Sequence, residues 1–168
     1  MPQVGILIGS ISDEDKMKPC VETLDTLGVS YVFTVSSAHR TPERTVERIR
    51  QLESEGCQIF ICAAGMAAHL AGAVAARTLK PVIGVPLSAS SLSGIDALLS
   101  TVQMPPGYPV GTVALDKAGA RNAAYLAAQI LALHDDALAA RLQEARRGFQ
   151  EAVEKAAAEL EGRFGAPA

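Results

Sequence analysis

Tyr31-Val32-Phe33-Thr34-Val35 runs directly into Ser36-Ser37-Ala38-His39-Arg40-Thr41-Pro42. The first five residues are β-branched or aromatic and read as a strand. From Pro42 the spacing turns helical, with Val46, Ile49 and Leu52 in register and Gly56 as the stop. Thr41 suits the N-cap of that helix and Pro42 its first position. A strand passing through one tight turn into a helix is half of a β-α-β unit, and that choice governs how the rest of the chain is read. The turn also carries chemistry. Free N–H groups and the positive end of the helix dipole attract an anion such as phosphate, Arg40 adds a planar fork that suits phosphate, and His39 adds an imidazole that can take up and release a proton. Together they point to an enzyme acting on a phosphorylated small molecule. Alone, the same residues also fit a polar surface histidine and an arginine paired with a carboxylate such as Glu43.

The alternation continues on both sides. Val4–Ile8 is a short apolar strand, and a helix over Glu14–Leu27 follows, with Met17, Val21, Leu24 and Leu27 in helical spacing and Gly28 to end it. Further strands are expected at 58–62, at 81–85 with Pro86 closing it, and at 111–115. Helices are expected at 67–78, 95–102, 119–133 and 136–160, with a frayed tail at 161–168. Apolar strands separated by single helices make a parallel sheet covered on both faces. Right-handed crossovers then give a doubly wound, three-layer α/β/α sandwich, here one domain over 1–168 with a long C-terminal helix. Ligands of such sheets bind beyond the carboxyl ends of the strands, where the strand order reverses. That rule selects the loops 9–13, 36–41 and 63–69.

The bulk numbers exclude several classes. With 168 residues, 49% hydrophobic and 20% charged, the chain is globular. A net charge of −3, few aromatic residues and no tryptophan give no surface for nucleic acid. No apolar run approaches the roughly 20 residues of a membrane span, and Met1-Pro2-Gln3 enters the first strand with no signal-peptide pattern. Cys20, Cys57 and Cys62 are odd in number and sit in apolar segments, as buried reduced thiols of a cytoplasmic protein do. The spacings of His39, His69 and His134 match no zinc pattern, so no metal is expected.

The other candidate loops are less specific. Gly9-Ser10-Ile11-Ser12-Asp13 lacks both the dinucleotide glycine pattern and the P-loop lysine. Its serines suit a phosphate or a helix cap, and Asp13 suits ribose hydroxyls or a cap. In Ala63–Leu70 the small residues allow close backbone approach to a ligand, and His69 falls in the first turn of the expected helix at 67–78. The proline- and glycine-rich stretch at 103–111 suits one wall of a site or a rigid connector. Eight alanines or glycines lie between Ala118 and Leu133, and a helix apolar on most faces calls for cover on both sides, with a subunit interface as one candidate cover.

Taken in order, G-S-x-S-D at 9–13, S-A-H-R-T-P at 37–42, A-A-H-L at 67–70, L-S-G-x-D at 92–96, Q-M-P-x-G from 103 and P-V-G-T ending at 112 resemble the PurE family of N5-carboxyaminoimidazole ribonucleotide mutases of de novo purine biosynthesis. The resemblance spans about residues 3–150, and the A-A-H-L stretch resembles the mutase branch rather than the branch that carboxylates aminoimidazole ribonucleotide directly with CO2. It implies a flavodoxin-like subunit, a homo-octamer with sites between subunits, and transfer of a carboxylate from the exocyclic nitrogen to ring carbon C4 without metal, biotin or ATP. It further implies that Ser10, Asp13 and Arg40 bind the ribonucleotide and that Ser37 helps at the phosphate. His39 becomes the proton-transfer group, and His69 lines the CO2 pocket. The family usually has Gly-Ala-Gly-Gly-Ala-Ala-His-Leu-Pro-Gly where this chain has Ala63-Ala64-Gly65-Met66-Ala67-Ala68-His69-Leu70-Ala71-Gly72. A direct carboxylase, or a non-catalytic nucleotide- or flavin-binding module, is the alternative reading.

Overall fold

The computed structural model describes residues 1–164. Its strands are β1 (Val4–Ile8), β2 (Tyr31–Val35), β3 (Ile59–Gly65), β4 (Val82–Leu87) and β5 (Gly111–Thr112). All pair in parallel, in the order β2-β1-β3-β4-β5, the doubly wound order of flavodoxin-like proteins. The helices are α1 (Glu14–Leu27), α2 (Pro42–Ser54), α3 (Leu70–Ala75), α4 (Ile95–Val102), α5 (Asp116–Leu131) and α6 (Asp136–Phe164).

Side-chain alternation along the strands builds two cores. Val4, Ile6 and Ile8 of β1 and Ile59, Ile61 and Ala63 of β3 pack with Met17 and Leu24 of α1 and the alanines of α5. Leu7, Phe60 and Cys62 point to the other face, against Ile49 and Leu52 of α2 and Leu70 and Val74 of α3. Every one of these strand residues is almost fully buried, which is why the strands read as continuous apolar runs. Gly28 ends α1 in the left-handed region at φ 66°, as a C-terminal glycine does.

Several elements differ from the pattern read in the sequence. The helix expected at 67–78 is only Leu70–Ala75. Met66 adopts φ 57°, and Ala68 and His69 bond to carbonyls only two residues back, at 2.9 and 2.7 Å, so the chain turns tightly and starts its helix late. His69 is therefore the N-cap residue of α3 and not part of its first turn. Strand β3 runs to Gly65, and β4 runs through Pro86 to Leu87. Pro86 is tolerated because β5 pairs only with Ile83 and Gly84, leaving β4 an edge strand at that level. Strand β5 itself is two residues long, α5 begins at Asp116, and α6 reaches Phe164, taking in the first four residues of the expected tail that starts at Glu161. The remainder of that tail, 165–168, lies outside the described residues.

The small-residue helix needs no second subunit to bury it. Ala120, Ala123, Ala124, Ala127 and Ala128 are completely buried within the chain, because α1 lies along α5 and the sheet lies beneath it. The C-terminal helix α6 docks through Leu138 and through Arg141, whose Nε donates to the Leu27 carbonyl at 2.7 Å. Beyond Phe149, which meets the Tyr125 ring edge-on at 5.9 Å, nearly all of its side chains are exposed. No helix among the described residues is long and apolar enough to cross a membrane.

Candidate active site

The strand order reverses between β1 and β3, because β2 lies on one side of β1 and β3 on the other. A cleft of about 440 Å³ opens at that point, beyond the carboxyl ends of β1, β2 and β3, where such sheets bind ligands. Ser10, Asp13, Ser37, His39, Arg40 and His69 all line it. Three separate turns thus bring every candidate residue into one cavity.

Each turn is built by local bonds. After β1, the Ser10 side chain accepts from the Ser12 N–H at 3.4 Å while the Ser10 N–H donates to Asp13 Oδ2 at 3.1 Å. This reciprocal capping box fixes both side chains at the rim of the cleft. Burial pushes the Asp13 carboxyl up from its ordinary value, and the Ser10 N–H and the Lys16 charge draw it back.

After β2, the Thr41 hydroxyl accepts from the Ser37 N–H and donates to the Ser37 carbonyl, both at 3.2 Å. Thr41 thus occupies the N-cap position of α2 with no side-chain bond to the helix; its hydroxyl ties the turn shut instead. Ser37 Oγ accepts from the Arg40 N–H at 3.2 Å, and Ser36 is wholly buried with its hydroxyl 2.8 Å from that of Thr45. The result is a rigid turn that holds His39 and Arg40 out at the surface. Among the described residues Arg40 forms no ion pair, so its guanidinium does not pair with Glu43 and is available to an anion.

After β3, the chain bends at Met66 and delivers His69 over His39, the two rings stacked with centroids 5.8 Å apart. Gly65 is required here by close approach. A Cβ on it would lie 2.4 Å from Ala89 Cβ and 3.0 Å from the Leu87 carbonyl oxygen. Ala89, from the turn after β4, forms a further wall of the cleft.

The stretch at 103–111 does not line this cleft. Met104 packs under α3, its sulfur 3.2 Å from where a Cβ of Gly72 would stand, while Gly107, Tyr108 and Pro109 line a separate cavity. Two features escaped the sequence reading, the left-handed backbone of Met66 and the contact of Ala89 with Gly65. The first was signalled only by a methionine standing where the resembled family has glycine.

Two stacked imidazoles beside a guanidinium without an ion pair among the described residues and a serine-rich rim, at the switch point of a 2-1-3-4-5 sheet, define a flavodoxin-like α/β protein with a cleft suited to an anionic small molecule. The chain belongs to the AIR carboxylase family, which it matches over residues 3–152. It is 52% identical over 150 residues to the N5-carboxyaminoimidazole ribonucleotide mutase of Brucella melitensis, covering 89% of this chain and 93% of that one. It is 49% identical over 151 residues to the Escherichia coli enzyme of the same name, covering 90% of this chain and 89% of that one. The crystal structure of Treponema denticola PurE superposes with a TM-score of 0.82 at 28% identity, over 99% of this chain and all of that one.

Proposed function

We propose that this protein is an N5-carboxyaminoimidazole ribonucleotide mutase, an isomerase of de novo purine biosynthesis that moves a carboxylate from the exocyclic nitrogen of its substrate to ring carbon C4. The observation that carries this reading is the convergence of His39, His69 and Arg40 with Ser10, Asp13 and Ser37 on one cleft.

Arg40 and the Ser10 and Ser37 hydroxyls hold the phosphate, and Asp13 accepts from the ribose hydroxyls. Breaking the N–carboxylate bond releases CO2 and leaves the electron pair on nitrogen, which takes a proton from His39. C4 then attacks the retained CO2, and the proton it carried returns to His39. The histidine ends each turnover as it began, so one acid/base serves both steps. His69, stacked beside His39, walls the space where CO2 is held next to the ring, and that proximity favours recapture over escape. No step calls for a metal or cofactor.

An assembly of subunits is supported by a surface the chain leaves open. Ile95, Leu99 and Val102 recur at helical spacing along α4 and are each about half exposed. Such an unpartnered apolar stripe suits subunit contact, and we read the assembly as a homo-octamer of one-domain subunits in the cytoplasm. Its three cysteines are buried and free, as suits a reducing compartment. Light scattering on purified protein tests the assembly, and a 17.5 kDa species at micromolar concentration would exclude it. The activity is tested by supplying either N5-carboxyaminoimidazole ribonucleotide or aminoimidazole ribonucleotide with bicarbonate. Product from the first, at substrate levels where the second gives little, supports the mutase; the reverse preference replaces it with the direct carboxylase.

A further inference from the structure

Three residues that lie outside the cleft lining are tied together behind its far wall. Asp116, the first residue of α5, has φ 54°, a left-handed backbone that side chains rarely adopt. Its carboxylate accepts from the Ser88 N–H at 2.9 Å and from the Ser88 hydroxyl. The Lys16 ammonium, from α1, stands 2.8 Å from Asp116 Oδ1. It also donates to the Ser88 carbonyl at 2.5 Å and to the Ser88 hydroxyl at 2.9 Å. Ser88 follows directly on β4, so one residue just past the end of that strand is held at its N–H, its carbonyl and its side chain at once. The pair is only partly exposed, with about 30% of each side chain accessible.

What this fixes is the cleft. Ala89 is the next residue, and it lies against Gly65 so closely that no side chain fits between them. Gly65 leads through Met66 to His69. A shift of Ser88 therefore displaces Ala89, and with it the turn that carries His69 over His39. We propose that Lys16 and Asp116 are positioning residues, a clamp on Ser88 that sets the spacing of Ala89 and Gly65 and thereby the width of the cleft and the placement of His69. Lys16 is linked to the site a second way, since it lies one helical turn beyond Asp13 and its charge acts on that carboxyl. The claim that the clamp tunes substrate affinity rests on the mutase reading; the claim that it sets the cleft does not.

The experiment pairs Lys16→Met with Lys16→Arg in the full-length protein and reads hydrogen exchange and steady-state kinetics. Lys16→Met is expected to speed exchange about tenfold both at 88–90 and at 65–69, because the two segments move together. With N5-carboxyaminoimidazole ribonucleotide as substrate, KM should rise about fivefold while kcat changes less than about twofold, and Lys16→Arg should restore both readings. Faster exchange confined to 88–90, or a lowered melting temperature with KM unchanged, would overturn the proposal and leave the ion pair a brace of the fold. If the wild type does not turn over this substrate, the functional reading fails, and exchange at 65–69 alone decides the clamp.

Discussion

The imidazole rings of His39 and His69 lie nearly parallel, 15° between planes and 5.8 Å between centroids, although they enter the cleft on turns from different strands. Neither turn alone brings the two imidazoles together. The parallel sheet does, because β2 and β3 flank β1 and release their chains at the same end. His39→Asn keeps polarity and approximate size but cannot carry a proton. Turnover should fall by about 10²–10⁴-fold, with circular dichroism and ribonucleotide affinity close to wild type. Retained turnover in this variant would remove His39 from the chemistry.

Met66 gives a prediction about stability that is independent of catalysis. It is a non-glycine residue at φ 57° and its side chain is 60% exposed, so little burial is lost on truncating it. Met66→Gly removes the steric cost of the left-handed backbone, partly offset by glycine's extra unfolded-state freedom, for a net gain of up to about 1 kcal/mol. Met66→Ala keeps the strain and should melt no higher than wild type. Met66→Val, β-branched at positive φ, should melt lowest of the four proteins. Thermal melts of the set check this order.

The pH dependence of stability should carry two carboxyls of opposite sign. Burial pushes the Asp116 carboxyl up, but hydrogen bonds from Lys16 and Ser88, together with the Lys16 charge, outweigh it and leave the group below its ordinary value. A carboxyl lowered in the folded state stabilises above its unfolded pKa of about 3.9 and loses that contribution as pH falls through the folded value. Asp116→Asn should therefore flatten the acid limb of the urea midpoint against pH. Asp13 is raised, chiefly by burial, so its contribution is lost as pH rises through its folded value, and Asp13→Asn should steepen the same limb. Equal limbs in all three proteins would contradict both assignments.

Much of this structure is legible in the sequence because its strands are buried on both faces and its helices carry clear stops. Gly28 and Pro42 bound their helices where the pattern places them. The site is legible for the same reason, since loops after parallel strands converge by topology rather than by sequence proximity. The failures have a common cause in tertiary context. Nothing local in Ala67-Ala68 forbids a helix; the left-handed Met66 upstream does. Nothing local in Pro86 allows a strand; the shortness of β5 does. The Lys16–Asp116 pair joins residues from opposite parts of the chain, and only the packing of α1 on α5 brings them together.

Arg40 offers the sharpest test of what the cleft holds. Its backbone is fixed by Ser37 Oγ at 3.2 Å, it sits at the mouth of α2, and among the described residues it forms no ion pair. A guanidinium so placed makes bidentate, charge-assisted bonds to phosphate, whereas lysine offers a single point charge. Hydrogen bonds to charged groups are worth roughly 1.5–3 kcal/mol each, so Arg40→Ala should weaken ribonucleotide binding by at least about tenfold, and Arg40→Lys by less. Because no internal partner is lost, the melting temperature of the unliganded protein should stay near wild type in both variants. Titrating the ribonucleotide and its dephosphorylated ribonucleoside against wild type and Arg40→Ala isolates the phosphate. Wild type should prefer the phosphorylated form and Arg40→Ala should lose most of that preference. If the preference survives the mutation, the phosphate sits elsewhere, and the assignment of Ser10 and Ser37 as its other ligands falls with it.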